Sequence, residues 1–159
     1  MGVCGCGKST IGEKVAALYG LPFMDADDYH PRSNVEKMSK GIPLGDLDRW
    51  PWFVNLAEAM NEKTTASGSV VCGCSSLKRS YRDLLVEKLN KPVLFVYLDG
   101  DRDLLLNRMS ARKGHYMPTS LLDSQLATLE VPQADEKALK IPIDQNIASI
   151  VDQINTALT

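Results

Sequence analysis

Apolar residues recur along the chain first at helical and then at strand spacing, and the two patterns alternate. Over residues 9–19, Ile11, Val15 and Leu18 fall at i, i+4 and i+7, which predicts a helix. Gly20 supplies a left-handed stop and Pro22 prevents continuation. Phe23-Met24 predicts a short strand that ends at an acidic cluster, Asp25, Asp27 and Asp28. Residues 31–39 read as a polar surface helix. After a turn around Gly41 and Gly45, Trp52, Phe53, Leu56, Ala59 and Met60 form a second apolar helical face.

The second half continues the alternation. Residues 69–72 (Ser-Val-Val-Cys) predict a buried strand and residues 78–86 a helix. Residues 93–98 are a continuous apolar run closed by Asp99, the pattern of a strand covered on both faces. Asp101 caps a helix that carries Arg108 and Arg112 and ends at Gly114. Leu122, Leu126 and Leu129 mark another helix. Leu139, Ile141 and Ile143 alternate as a strand in which Pro142 suits an edge. Ile147, Ile150, Val151, Ile154 and Leu158 form the last helical stripe. The class is therefore α/β with a mainly parallel sheet.

Length and charge narrow this further. A chain of 159 residues with no repeat and no linker-like run is expected to form one domain over 1–159. A formal net charge of -2 gives no whole-protein attraction to nucleic acid or membrane, so anionic ligands need local basic residues. No apolar run approaches the ~20 residues of a membrane span, and no secretory leader is visible. With four cysteines and no secretion signal, the expected state is reduced thiols in the cytoplasm.

The strongest chemical signal lies at the start. Gly2-Val3-Cys4-Gly5-Cys6-Gly7-Lys8-Ser9 fits G-x-x-x-x-G-K-[ST] and runs straight into a helical pattern. Glycines let the backbone curl so that successive N–H groups point at phosphate oxygens, and the helix adds its positive dipole end. Lys8 would reach the β- and γ-phosphates and Ser9 would ligate Mg²⁺, so residues 2–10, Thr10 included, are the expected nucleotide-binding stretch. The strand that should feed such a loop is missing from the sequence ahead of Gly2. That strand is usually central, so the expectation is an N-terminally truncated domain, poorly soluble and weak in ATP binding. Asn90-Lys91-Pro92-Val93 lacks the aspartate of a guanine reader, which disfavours a GTPase. The Asp99 strand imitates the metal-binding strand of motor ATPases, but a buried strand whose Asp starts the next turn is the preferred reading.

The remaining blocks carry a resemblance. Asp25-Ala26-Asp27-Asp28-Tyr29-His30-Pro31 resembles the D-x-D-x-x-H-P segment of bacterial and eukaryotic gluconokinases. So do residues 41–44 (GIPL), 48–52 (DRWPW), 74–83 (CSSLKRSYRD) and 112–118 (RKGHYMP), in the family's order and across almost the whole chain. The resemblance implies a three-layer α/β sandwich like that of nucleoside monophosphate kinases, with a helical lid, and it allows a homodimer. It implies ATP and Mg²⁺ as cofactors and phosphorylation of D-gluconate to 6-phospho-D-gluconate. Asp25 would help hold hydrated Mg²⁺, and Asp27 would accept a hydrogen bond or the proton from the acceptor hydroxyl; a solvated acidic turn is the alternative. The gluconate carboxylate calls for a cation, and Arg49, Lys78 and Arg82 are the candidates, the last two at i, i+4 on one helical face. His30 and His115 are read either as binders of sugar hydroxyls or as turn residues. Arg108 and Arg112 lie i, i+4 on one helical face beside the lid-like stretch, where both would bind nucleotide. A closing lid would bring arginine onto the γ-phosphate, Arg112 being the catalytic candidate; an exposed helix salted with arginine is the alternative.

The sequence departs from the family at several points. Cys4 and Cys6 stand where Ser is usual, Gly45 and Leu47 replace polar residues, and Ser76 replaces Ala. The pairs Cys4-x-Cys6 and Cys72-x-Cys74 invite a zinc or redox reading, although zinc ligands are usually separated by two to four intervening residues and here there is one. Two further readings therefore stand beside gluconate phosphorylation. One is a nucleotide- or metal-binding relic without catalysis, and the other a kinase for another small acid such as shikimate.

Overall fold

The computed structural model describes residues 1–112 and 118–159. The glycines of the first loop set its course: Gly2, Gly5 and Gly7 all adopt positive φ (142°, 80° and 96°), which side chains resist. The chain then enters helix α1 (Lys8–Tyr19), stopped as expected by left-handed Gly20, with Leu21 N–H donating to Ala16 O at 2.9 Å. Strand β1 (Phe23–Asp25) follows and passes into a single 3₁₀ turn (Ala26–Tyr29) that periodicity does not predict. Its cause is local: the Asp25 side chain accepts from Asp27 N–H and starts the turn.

Helix α2 (Arg32–Ser39) is polar and mostly exposed, but Asn34 within it is buried. Helix α3 (Asp46–Ser67) begins six residues before Trp52, where its apolar stripe starts. Asp48 caps it by accepting from Gly45 N–H at 2.9 Å, and Pro51 sits in its second turn. Pro51 lacks the N–H that would bond the carbonyl of exposed Leu47, a loss tolerable near a helix start. Strand β2 (Val71–Gly73), helix α4 (Arg79–Lys88), strand β3 (Phe95–Asp99) and helix α5 (Arg102–Ala111) come next. Helix α6 (Thr119–Thr128), strand β4 (Ala138–Pro142) and helix α7 (Ile147–Leu158) complete the chain.

The strands pair in parallel, as expected for this class, but in two separate pairs. Phe23 of β1 lies opposite Val71 of β2, and Phe95 of β3 opposite Ala138 of β4. Pro142 falls on β4, which pairs only with β3 among the described residues. Helix α1 packs on β1, β2 and α7, while α3 packs on α4. One continuous hydrophobic cluster runs through both pairs, from Ile11 and Val15 through Phe53, Leu56 and Leu105 to Ile141 and Ile154. A close approach tightens it: Phe23 lies where a Cβ on Gly12 would be 2.4 Å from its ring and one on Gly73 would be 3.2 Å away.

Between the two pairs sits the first residue. Met1 N donates to Val96 O, and Leu98 N–H donates to Met1 O at 3.0 Å, which is parallel pairing of Met1 opposite Tyr97. Gly2 N–H turns the other way and donates to Ser75 O at 3.1 Å, just beyond β2. Behind this junction lies a largely apolar cavity of about 470 Å³, lined by Val15, Leu56, Val71, Phe95, Val96 and Ile154 among others. Burial holds the Met1 amine down at about pKa 6, from an ordinary 8.0.

A pH dependence follows. Between about pH 6 and pH 8 the unfolded amine holds more proton than the folded one, so stability rises with pH across that window. An added run of apolar, β-branched residues ahead of Met1 converts the amine into a peptide N–H and offers a backbone to both strand pairs. That variant is expected to lose the pH 6–8 slope and melt at higher temperature, as followed by circular dichroism. Equal melting temperatures and equal slopes would show that the space between the pairs accepts no strand.

Candidate active site

The phosphate loop and the end of β1 meet at the start of α1. The N–H groups of Lys8, Ser9 and Thr10 open the helix, and its N-cap, Gly7, has no side chain to bond them. An anion placed there would receive those donors together with the helix dipole. Lys8 Nζ instead reaches back to its own loop, donating to Gly2 O and Val3 O at 3.1 Å each. Cys4 N–H is held by Gln125 Oε1 of α6 at 2.7 Å, a contact with no signal in the sequence. Gly5 is pressed against α5, where an added Cβ would lie 3.0 Å from Met109 Cγ and 3.3 Å from Leu105 O.

The carboxylates expected beside the loop are there. Asp25 Oδ2 accepts from Ser9 Oγ at 3.1 Å, so hydroxyl and carboxylate share one spot. Asp25 Oδ1 accepts from Asp27 N–H at 3.0 Å, which turns the Asp27 side chain outward, 77% exposed. The His30 imidazole beside it, helped by the charge of Lys8, holds the Asp27 carboxyl below the usual carboxylate range against some opposing desolvation. Asp27 is therefore ionised at neutral pH. His30 is nearly enclosed, stacked on Trp52 and bonded to Asn34, two partners that sequence reasoning missed. Trp52 Nε1–H in turn donates to Ala26 O at 2.7 Å, fixing the 3₁₀ turn from beneath.

The basic candidates separate clearly. Arg49 and Lys78 line an open depression of about 610 Å³ with Lys37, Asp46, Asp48 and Thr128. Lys78 is the N-cap of α4 and pairs with Asp46 at 3.1 Å, while Lys37 pairs with Asp48 at 2.8 Å. Arg49 is buried, donates to Tyr81 Oη at 3.0 Å and forms no ion pair among the described residues. Tyr81 Oη also bonds Asp46.

Arg82 does not share a face with Lys78. Its side chain is 1% exposed and spends its donors on Glu136, at 2.5 and 3.1 Å, and on the carbonyls of Ser76 and Leu77. Those bonds hold the turn after β2, where Ser76 takes a left-handed φ of 46°.

The arginines near the lid-like stretch also differ from expectation. Helix α5 ends at Ala111, so Arg112 is its extended C-cap and not a helical neighbour of Arg108. Arg112 is exposed, whereas Arg108 donates to Ile143 O at 2.6 Å. His115 lies outside the described residues.

The cysteines offer little as a rival site. All four are free thiols, and burial pushes Cys4, Cys74 and above all Cys72 upward, so these three stay protonated at neutral pH. Among the described residues no group of three or more His, Cys, Asp or Glu side chains is placed to hold a metal ion. Nor is any helix there long and apolar enough to cross a membrane.

Comparison with known proteins agrees with this geometry. The sequence profile described as shikimate kinase matches residues 4–157. The thermosensitive gluconokinase of Escherichia coli K12 is 48% identical over 161 residues, covering 99% of this chain and 84% of that protein. The crystal structure of a gluconokinase from Sinorhizobium meliloti 1021 superposes with a TM-score of 0.88 at 45% identity, over 99% of this chain and 88% of that one. An unliganded sugar kinase from Janibacter sp. HTCC2649 gives a TM-score of 0.93 at 46% identity, over 99% and 91%. With the phosphate loop, the paired aspartates and the parallel α/β frame all in place, this chain belongs to the gluconokinases, within the shikimate kinase group of P-loop kinases.

Proposed function

We propose that this protein transfers the γ-phosphoryl group of ATP to the 6-hydroxyl of D-gluconate with Mg²⁺. The observation that carries this is the convergence of Lys8, Ser9, Asp25 and Asp27 on one loop in a chain of this family. Ser9 and Asp25 suit Mg²⁺, which keeps several waters and takes one or two protein oxygens alongside substrate phosphates. The bound ion would neutralise phosphate charge. Lys8 lets go of the Gly2 and Val3 carbonyls and takes phosphate oxygens in their place. Phosphoryl transfer asks for little covalent help, so Asp27 acts chiefly by orienting the acceptor hydroxyl as an ionised acceptor.

Of the three cations considered for the gluconate carboxylate, the surroundings favour Arg49. It lines the open depression and forms no ion pair among the described residues, while Lys78 is paired with Asp46 and Arg82 with Glu136. A planar guanidinium matches two carboxylate oxygens in a way an ammonium does not. Arg112, exposed at the end of α5, is the residue to meet developing charge on the transferred group.

Four measurements test these roles. In a coupled ADP-release assay, gluconate is the preferred acceptor over shikimate and nucleoside monophosphates; preference for either of those would remove the substrate assignment and leave the kinase standing. Lys8→Ala keeps its fold and loses kcat by roughly three or more orders of magnitude, since the lysine acts on charge and not on packing. Arg49→Lys raises the KM for gluconate by about tenfold or more at nearly unchanged ATP affinity. An unchanged KM would transfer the carboxylate to another cation. Arg112→Ala lowers kcat more than it weakens ATP binding, and equal weakening of ground-state binding with unchanged kcat would refute that role.

A further inference from the structure

The carboxylate assigned to the acceptor hydroxyl is held from behind by a ring that does not itself face the substrate. His30 follows the 3₁₀ turn and stacks on Trp52 with ring centroids 3.9 Å apart and planes inclined by 22°. Its side chain is 3% exposed, while that of Asp27 is 77% exposed. The two ring nitrogens have different partners. Nδ1 lies 3.2 Å from Asn34 Nδ2, and Nε2 lies 3.6 Å from Asp27 Oδ1.

The orientation of Asn34 decides where the proton sits. Asn34 Nδ2 also donates to the Asp48 main-chain carbonyl at 2.9 Å. A carbonyl only accepts, so the reversed amide would set two oxygens against each other. Asn34 therefore presents its amide nitrogen, a pure donor, to His30 Nδ1 as well. Nδ1 must accept, and the neutral ring carries its proton on Nε2, facing Asp27. The anchor of this arrangement is itself fixed: the Asp48 side chain takes Lys37 Nζ at 2.8 and 3.0 Å and Gly45 N–H at 2.9 Å.

We propose that His30 is a positioning residue for phosphoryl transfer: Asn34 fixes its tautomer, and its Nε2–H holds the Asp27 carboxylate in the orientation that meets the acceptor hydroxyl. This rests on the reading of Asp27 given above. At 3.6 Å the contact is longer than a hydrogen bond, as is common before substrate draws a site together. A direct role in binding sugar hydroxyls fits less well, because both nitrogens already face protein partners and the ring is almost wholly covered.

The test uses the whole chain with gluconate and ATP. His30→Phe keeps an aromatic ring on Trp52 and removes the donor, whereas His30→Gln keeps an N–H near the position of Nε2. His30→Phe is expected to lower kcat by about 10- to 100-fold with less than about a threefold change in gluconate KM, and His30→Gln to recover most of that loss. In ¹⁵N spectra of the parent protein, the His30 signals are those of the Nε2–H tautomer. A raised KM with kcat intact would make His30 a substrate binder and overturn the proposal. So would losses in both variants that merely follow the folded fraction in thermal melts, or an Nδ1–H tautomer in the parent. Asp27→Asn separates the two levels: near-parental activity in that variant removes the role of Asp27 itself, whereas an inactive Asp27→Asn beside an active His30→Phe removes only the role of His30.

Discussion

The arrangement depends on one short piece of backbone, Met1-Gly2, which bonds in opposite directions. Met1 pairs with β3 through Val96 and Leu98, and Gly2 reaches Ser75 at the end of β2. Main-chain hydrogen bonds here tie the two strand pairs together directly, beside the packing they share. The same two residues open the phosphate loop, so the junction that joins the halves also aims the loop. Each bond matters because a buried backbone group left unpaired costs roughly 1–3 kcal/mol. A domain has only ~5–15 kcal/mol of stability in total.

Chemistry and architecture meet again at the 3₁₀ turn. Asp25 is at once the last residue of β1, the acceptor for Ser9 Oγ and the cap that turns Asp27 outward. Trp52 supports the turn through Ala26 O and supports His30 through its ring. Helix α3 thereby reaches the site without offering a reacting group. On the other side, Arg82 and Glu136 form a buried pair that fixes the turn after β2. Breaking such a pair from one side typically costs about 3–5 kcal/mol, so Arg82 is better described as part of the frame than as a reader of ligand.

Most helices, and the direction of strand pairing, were legible from periodicity and from the turn residues Gly20 and Pro22. The boundaries of α3 were not, because its first turns carry Asp46, Asp48 and Pro51 in place of an apolar stripe. The phosphate loop and Asp25 could be read because their chemistry requires particular residue types at fixed spacing. Arg82 could not be told from Arg49 in the sequence, since both are arginines in polar surroundings. The difference lies in Glu136, more than fifty residues away from Arg82 in the chain. Asn34 gave no signal either: a polar residue in a polar helix looks solvated until His30 and the Asp48 carbonyl are brought to it. The i, i+4 relation of Arg108 and Arg112 failed because α5 ends one residue too early.

The contact of Phe23 with two glycines has a consequence for how the protein tolerates change. The ring fills the space that side chains on Gly12 of α1 and Gly73 of β2 would need. These three positions come from separate elements yet share one volume, so their substitutions are not expected to be additive. A methyl group at residue 12 forces the Phe23 ring to move, and a smaller side chain at residue 23 would relax both glycines together. Alanine at position 12 therefore costs less after a change at position 23 than before it, which makes the order of mutations, and not only their sum, a property of the fold.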